Sequence, residues 1–219
     1  MIRFPKRLIA GYQGFCTHRL PAEQSRYRDL SEHGQKPEIM VIGCCDSRVA
    51  PETIFDAGPG ELFVMRNVAN LVPPYAPDGE AHGVSAALEF AVQVLRVKHI
   101  VVMGHAQCGG VKALTEDSEP LSPGDFIGRW MSLIESDPAK LKPQGGEDRQ
   151  AFVTRLEKAV IRRSLQNLMT FPCIRIQVER GKIVLHGAYF GVATGALSVL
   201  DRATDEFLDV QTANEIVSV

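Results

Sequence analysis

Two cysteines and one histidine carry the clearest chemistry in this sequence. Cys44 closes the apolar run Ile39-Met40-Val41-Ile42-Gly43, and His105 and Cys108, spaced as H-x-x-C, follow the run Ile100-Val101-Val102-Met103-Gly104. Short unbroken apolar runs read as strands buried on both faces, so all three residues stand at the carboxyl ends of strands, where open α/β sheets bind ligands. Two thiolates and an imidazole are the ligand set of a catalytic zinc site, which keeps its fourth position for water. One ligand is remote in sequence and two are local, unlike the paired knuckles of a zinc finger. The plainer reading of each residue alone is structural, since a cysteine ending a buried strand is usually an inert small hydrophobe. Its company argues otherwise. Cys44-Cys45-Asp46-Ser47-Arg48 puts a carboxylate two residues past the first ligand and a guanidinium two beyond that. Alternate positions of an extended backbone project to one side, so Arg48 is expected to grip Asp46 by a charge-assisted bond. A lone pair then remains to accept a proton from a metal-activated water. A simple surface ion pair, worth little, is the alternative.

These residues need a scaffold, and the rest of the chain supplies its signature. A third apolar run, Leu62-Phe63-Val64-Met65, lies between the other two. From Glu80 to Val97, Ser85, Glu89, Gln93 and Arg96 form one narrow polar stripe on an otherwise apolar helix, which is expected to be covered on most sides. A second helix is expected over Asp148 to Leu168, after a connection around Pro138 to Gly146. From Lys182 to Leu200, apolar alternation broken by Gly187, Gly191 and Gly195 predicts a last strand and a hairpin. Strand, helix, strand at this spacing is α/β: a mostly parallel central sheet flanked by helices. The segment from Pro5 to Gly34 reads as one or two helices with too little apolar surface to fold alone, hence an N-terminal arm packing on a partner subunit.

Composition narrows the function. At 219 residues, 45% hydrophobic and 23% charged, the chain suits one globular domain. With 24 basic and 26 acidic residues its net charge is −2, which offers a polyanion no electrostatic pull, so nucleic acid is not the expected partner. The five cysteines are odd in number and dispersed, unlike a secreted disulfide framework. No apolar stretch is long enough to span a bilayer, and Met1 to Gly11 lacks the apolar region expected of a secretory signal. A cytoplasmic protein is expected, with no membrane partner.

The motifs, taken in order, resemble the signature blocks of β-class carbonic anhydrases. They are Cys44-Cys45-Asp46-Ser47-Arg48-Val49 with Pro51-Glu52, then Arg66-Asn67-Val68-Ala69-Asn70, then Gly104-His105 with Cys108-Gly109-Gly110. Leu71-Val72-Pro73-Pro74-Tyr75, and Gln35 ahead of the first ligand, are similar to the plant-like branch. The resemblance implies a single domain over 1–219, with a helical arm at 1–34, an α/β core with the zinc site at 35–180, and a C-terminal strand, hairpin and tail at 181–219. It implies reversible hydration of carbon dioxide to bicarbonate and a proton by a zinc-bound hydroxide. One zinc per subunit would sit on Cys44, His105 and Cys108, with Asp46 and Arg48 catalytic. Gln35, Phe63, Val68 and Phe90 would line the substrate pocket, and a homodimer or higher homo-oligomer would complete it, with Gln35, Phe63 and Phe90 suspected of reaching across subunits. Relatives usually carry Tyr where Phe90 stands. One branch carries Trp at the position of Val41, in an inhibitory bicarbonate pocket, so no such pocket is expected. Asp46 can also displace the water as fourth ligand, which Arg48 opposes.

Three rivals stand beside this reading. The same scaffold and ion suit hydrolysis of carbon disulfide or carbonyl sulfide. A non-catalytic, zinc-stabilised binding protein would not need Asp46 and Arg48. A Cys108 nucleophile activated by His105 lacks a further orienting residue. Among the remaining residues, His18, His33 and His99 are expected at the surface, His82 and His186 near the pocket or an interface at most, and Cys16 and Cys173 in structural roles.

Overall fold

The computed structural model describes residues 3–115, 123–134 and 142–211. Part of the connection expected at 138–146, and the end of the tail at 212–219, lie outside them. The chain forms two units, residues 1–36 and 37–219.

In the N-terminal unit, α1 (Lys6–Gly14) runs through a π-helical turn (Phe15–Arg19) into α2 (Leu20–His33). Gly34, at φ 77°, ends it. No side chain of these helices is buried. Phe15 stacks on Tyr12 and meets Tyr27 edge-on, while Leu8 and Tyr12 remain more than half exposed.

The second unit is built on a six-stranded sheet. Its strands are β1 (Ile39–Cys44), β2 (Leu62–Asn67), β3 (His99–His105), β4 (Val184–Phe190), β5 (Leu197–Asp201) and β6 (Glu206–Asp209). They lie in the order β2-β1-β3-β4-β5-β6. The first four pair in parallel, and β5 and β6 add antiparallel. The sheet is therefore mostly parallel, as the apolar runs predict, with β6 an edge strand beyond the expected hairpin. Because β2 and β3 flank β1 on opposite sides, the strand order reverses at β1, and in open α/β sheets the carboxyl end of such a strand is where ligands bind.

Between the strands lie α3 (Pro51–Ile54), a 3₁₀ turn (Val68–Asn70), α4 (Gly83–Glu89), α5 (Gly109–Leu114), α6 (Phe126–Met131), α7 (Arg149–Leu168) and α8 (Pro172–Glu179). The helix expected over Glu80 to Val97 is shorter. It starts at Gly83, opens into a π turn over Phe90–Leu95, and stops at Arg96 in a left-handed conformation. Leu88, Ala91 and Val92 are buried, yet Phe90 and Val94 are exposed. The second expected helix forms as read, with the Asp148 carboxylate accepting the Ala151 N–H at 2.7 Å as its N-cap.

One sheet face, carrying Met40, Ile42, Ile100, Val102 and Leu185, packs on Ile161, Leu165 and Leu168 of α7 and on Leu88 and Val92. Approach is close: a Cβ at Gly104 would lie 2.8 Å from Ile161 Cδ1. A second cluster joins Cys44, Val49, Ala69 and Cys108 to Val153, Leu156 and Val160 of α7. On the other face Val41, Met103 and Ala188 are buried among Ile39, Val64, Val101 and Leu197, which are only partly covered. His99 departs from expectation. It is half-buried, and its Nδ1 lies 3.1 Å from His186 Nε2, because the parallel register places Val101 opposite His186 and His99 opposite Val184.

Candidate metal centre

Cys44 ends β1 and His105 ends β3, and since Gly43 lies level with Met103 both leave the sheet at nearly the same height. Cys108 follows one tight turn later. That turn holds Gln107 at φ 58°, a left-handed conformation in which a non-glycine residue is strained and is retained where the surroundings over-determine it. The outcome is convergence. The ligand atoms of Cys44, His105 and Cys108 lie within 4.8 Å of one another, all on buried residues.

The geometry suits zinc. The two Sγ atoms are 4.0 Å apart, far beyond a disulfide and near the ~3.8 Å that a tetrahedral ion with Zn–S bonds of ~2.3 Å imposes. His105 Nδ1 lies 2.9 Å from the Ala106 carbonyl oxygen. Donation there puts the proton on Nδ1 and leaves the Nε2 lone pair free. Nε2 is buried with no hydrogen-bond partner; a buried polar atom left so calls for a ligand.

Ionisation points the same way. The hydrogen bond from Cys108 draws Cys44 down to about 4, against the opposing effect of burial, with help from His105 and the backbone of Asp46 and Ala69. That same bond and burial push Cys108 far above the ordinary thiol range. The two sulfurs thus share one proton, which a cation would displace. Ala69, also left-handed at φ 62°, aims its N–H at Cys44 Sγ from 3.4 Å.

Asp46 and Arg48 meet as the spacing predicts. Arg48 Nε donates to Asp46 Oδ1 at 2.9 Å and Nη2 to Oδ2 at 2.7 Å, and the Arg48 N–H adds a third bond to Oδ1 at 3.0 Å. These bonds hold the Asp46 carboxyl well below the usual carboxylate range, although its partial burial opposes them. Oδ2 lies 4.0 Å from His105 Nε2, at the rim of the ligand cluster.

Arg66 in β2 fixes the loop that carries both groups: its Nε donates to the Cys44 carbonyl at 2.7 Å and its Nη2 to the Asp46 carbonyl at 2.6 Å. Asn67 closes the next turn by exchanging two side-chain bonds with the Leu71 backbone. Further residues were not singled out from the sequence. Ser164 and Asn167 of α7 bind the backbone at Asn70 and Val72. Glu157, also on α7, accepts the Cys108 N–H at 2.9 Å and the Tyr189 O–H at 2.7 Å. Their signal was polar residues recurring on the apolar face of a predicted helix.

The expected pocket residues divide. Val68 lies in the turn after β2, and its carbonyl accepts the Trp130 indole N–H at 2.8 Å. Phe63 and Phe90 meet, ring centroids 5.9 Å apart, but Phe63 stands four residues before Asn67, roughly 13 Å back along the strand. This chain does not bring that pair to its own Cys44 edge. Gln35 belongs to the N-terminal unit. His82 pairs with Asp78 at the surface, and His186 with His99.

The carbonic anhydrase family profile matches residues 39–197. The chain is also similar to a carbonic anhydrase of Pseudomonas aeruginosa, 34% identical over 216 residues, 97% of this chain and 94% of that protein. Among solved structures, the β-carbonic anhydrase CcaA superposes with a TM-score of 0.82 at 30% identity, covering 94% of this chain and 92% of its own. The chain belongs to the β-class carbonic anhydrase family. A tetrameric β-carbonic anhydrase of the filamentous ascomycete Sordaria macrospora is a further neighbour, with a TM-score of 0.75, 28% identity, and 89% and 95% coverage. β-Carbonic anhydrases use zinc, and the Cys44–His105–Cys108 cluster suits that ion. The activity of this β-carbonic anhydrase is zinc-dependent hydration of carbon dioxide. Among the described residues no helix is long and apolar enough to cross a membrane.

Proposed function

We propose that Cys44, His105 and Cys108 hold the zinc, that Asp46 and Arg48 are the catalytic pair, and that bicarbonate and a proton are the products. The observation that carries this assignment is the convergence of two sulfurs and an unpartnered imidazole nitrogen within 4.8 Å, beside a carboxylate already gripped by arginine. Bound there, zinc supplies Lewis acidity, lowering the pKa of a coordinated water from ~15.7 toward ~7. Two thiolates temper that acidity, so neighbouring groups must assist. Asp46, ionised, can only accept a hydrogen bond. It would accept a hydrogen bond from the attacking oxygen without removing the proton, which would orient that oxygen's lone pair toward the substrate carbon and disfavour ligands with no proton to give. Arg48 holds both carboxylate oxygens, which keeps Asp46 from entering the coordination sphere itself.

Carbon dioxide is apolar and needs an apolar seat, which Val68 supplies on this side. Phe63 lies too far back along β2 to face its own Cys44, and Phe90, whose ring meets it from the π turn after α4, is exposed. We assign that ring pair to the site of a second copy, with Gln35 donating to the oxygen that becomes negative. Exposed Leu8 and Tyr12 on the N-terminal helices and the thinly covered Val101 face of the sheet support a homo-oligomer, as does the tetrameric neighbour. The five unpaired cysteines suit a reducing cytoplasm. Metal analysis with stopped-flow CO2 hydration tests the assignment: wild-type protein should carry one zinc per chain and turn over CO2, and Cys44→Ala should lose both. Full zinc in Cys44→Ala would refute the ligand set. No observation favours carbon disulfide or carbonyl sulfide over carbon dioxide.

A further inference from the structure

One peptide group, the link between Gln107 and Cys108, is gripped from both ends. Its carbonyl oxygen accepts a hydrogen bond from Arg48 Nη2 at 3.1 Å, and its N–H donates to Glu157 Oε1 at 2.9 Å. Glu157 is 2% exposed, and its other oxygen accepts the Tyr189 O–H at 2.7 Å. A bonded chain thus runs from Asp46 through Arg48 and this peptide to Glu157 on α7 and Tyr189 on β4. Gln107 sits in the left-handed region, so the peptide plane does not hold itself in place, and bonds from outside must fix it. Its orientation governs two things together: where Cys108 Sγ points, and where the oxygen that caps Arg48 lies.

We propose that Glu157, steadied by Tyr189, is a positioning residue that sets the Gln107–Cys108 peptide and through it both the Cys108 sulfur and the Arg48–Asp46 pair. The proposal rests on the zinc-site reading given above. It differs from a purely structural role, in which Glu157 only satisfies two buried donors. A structural Glu157 would matter to stability and leave the metal site of the folded protein alone. A positioning Glu157 would be felt at the metal in protein that is fully folded. Partners of this kind typically change metal affinity or activity by about 10–100-fold when removed.

The test compares Glu157→Gln, Glu157→Met and Tyr189→Phe in the full-length holoenzyme. The measurements are zinc release to a chromophoric chelator, the thiolate-to-cobalt charge-transfer band of the Co(II)-loaded protein, and thermal stability. Gln keeps an oxygen for the Cys108 N–H, and its amide can donate to the Tyr189 oxygen. Met offers neither. We expect Glu157→Met to release zinc about 10–100-fold faster with a shifted cobalt band, and Glu157→Gln to stay within about threefold of wild type. Tyr189→Phe should move both readouts in the Met direction, by less. The proposal is overturned if folded Glu157→Met keeps the wild-type release rate and band, or if Glu157→Gln is as impaired as Glu157→Met. Should Glu157→Met fail to fold, Tyr189→Phe decides: lowered stability with unchanged release and band overturns the proposal. Wild-type protein without zinc would refute the metal reading itself. Zinc-loaded wild type with unaffected variants would refute the positioning role alone.

Discussion

The Arg48 guanidinium lies edge-on against the Asp46 carboxylate, with two side-chain bonds of 2.9 and 2.7 Å. A bidentate pair of this kind fixes direction as well as charge. One arm also reaches the Gln107 carbonyl, so the pair is tied to the turn that carries Cys108.

Neutralising the carboxylate should therefore separate metal binding from turnover. Asp46→Asn is expected to retain one zinc per chain and lose about 10²–10⁴-fold in kcat/KM. Arg48→Ala should lose about 10–100-fold, because the freed carboxylate competes with water for the ion. Metal content and stopped-flow hydration measure both effects. Full activity in Asp46→Asn would remove Asp46 from the mechanism.

Metal loading should release protons. Cys44, at about 4, is ionised at neutral pH, whereas Cys108 is pushed far up by its bond to Cys44 and by burial. For His105, burial lowers proton affinity, but the adjacent Cys44 sulfur, the bond to the Ala106 carbonyl and the nearby Asp46 charge outweigh it, and the net shift is upward. Zinc must displace the Cys108 proton, and that of His105 where present. Affinity should then rise with pH, about tenfold per unit for each proton. Calorimetric titration in buffers of different ionisation enthalpy should count about one or two protons released. A count of zero would contradict the shared-proton arrangement.

A methyl group at Gly104 tests the packing that seats His105. The added Cβ would meet Ile161 Cδ1 at 2.8 Å and Cγ1 at 2.9 Å, and overpacking of this kind costs about 1–3 kcal/mol. Gly104→Ala should lower the denaturant midpoint accordingly. An unchanged midpoint would mean that α7 gives way freely.

His186 makes stability fall in mild acid. Burial lowers its pKa first, and the charges of His99 and Arg202 lower it further. The folded protein therefore takes up this proton less readily than the unfolded chain, whose histidine titrates near ~6.5. The contribution is present above that value and is lost as pH drops through it toward the lower folded value. Urea midpoints measured from pH 8 to pH 5 should show this slope, and His186→Gln should flatten it. Identical slopes would disprove it.

Much of the site was legible in the sequence because its parts sit where pattern speaks loudly. Unbroken apolar runs mark strands, and the ligands directly follow two of them, β1 and β3; burial on both faces is incomplete, since Val64 and Val101 are only partly covered in the single chain. The pairing of Asp46 with Arg48 follows from their spacing alone. Polar residues on the apolar face of the α7 helix signal that Glu157, Ser164 and Asn167 have buried partners. Those partners, backbone groups and the Tyr189 hydroxyl, belong to segments distant in sequence that no local pattern identifies. The π turn at Phe90–Leu95 escaped because it preserves a helical polar stripe while changing the hydrogen-bond step. His99 misled because a strand's first residue normally frays into solvent, whereas here a second histidine on the neighbouring strand covers it.

X-ray absorption at the zinc edge tests the central claim most directly. The account predicts two sulfurs at ~2.3 Å and two lighter atoms at ~2.0 Å, one from imidazole and one exchangeable with solvent. A shell with three sulfurs, which would bring in Cys45, or one with no exchangeable atom, would contradict it.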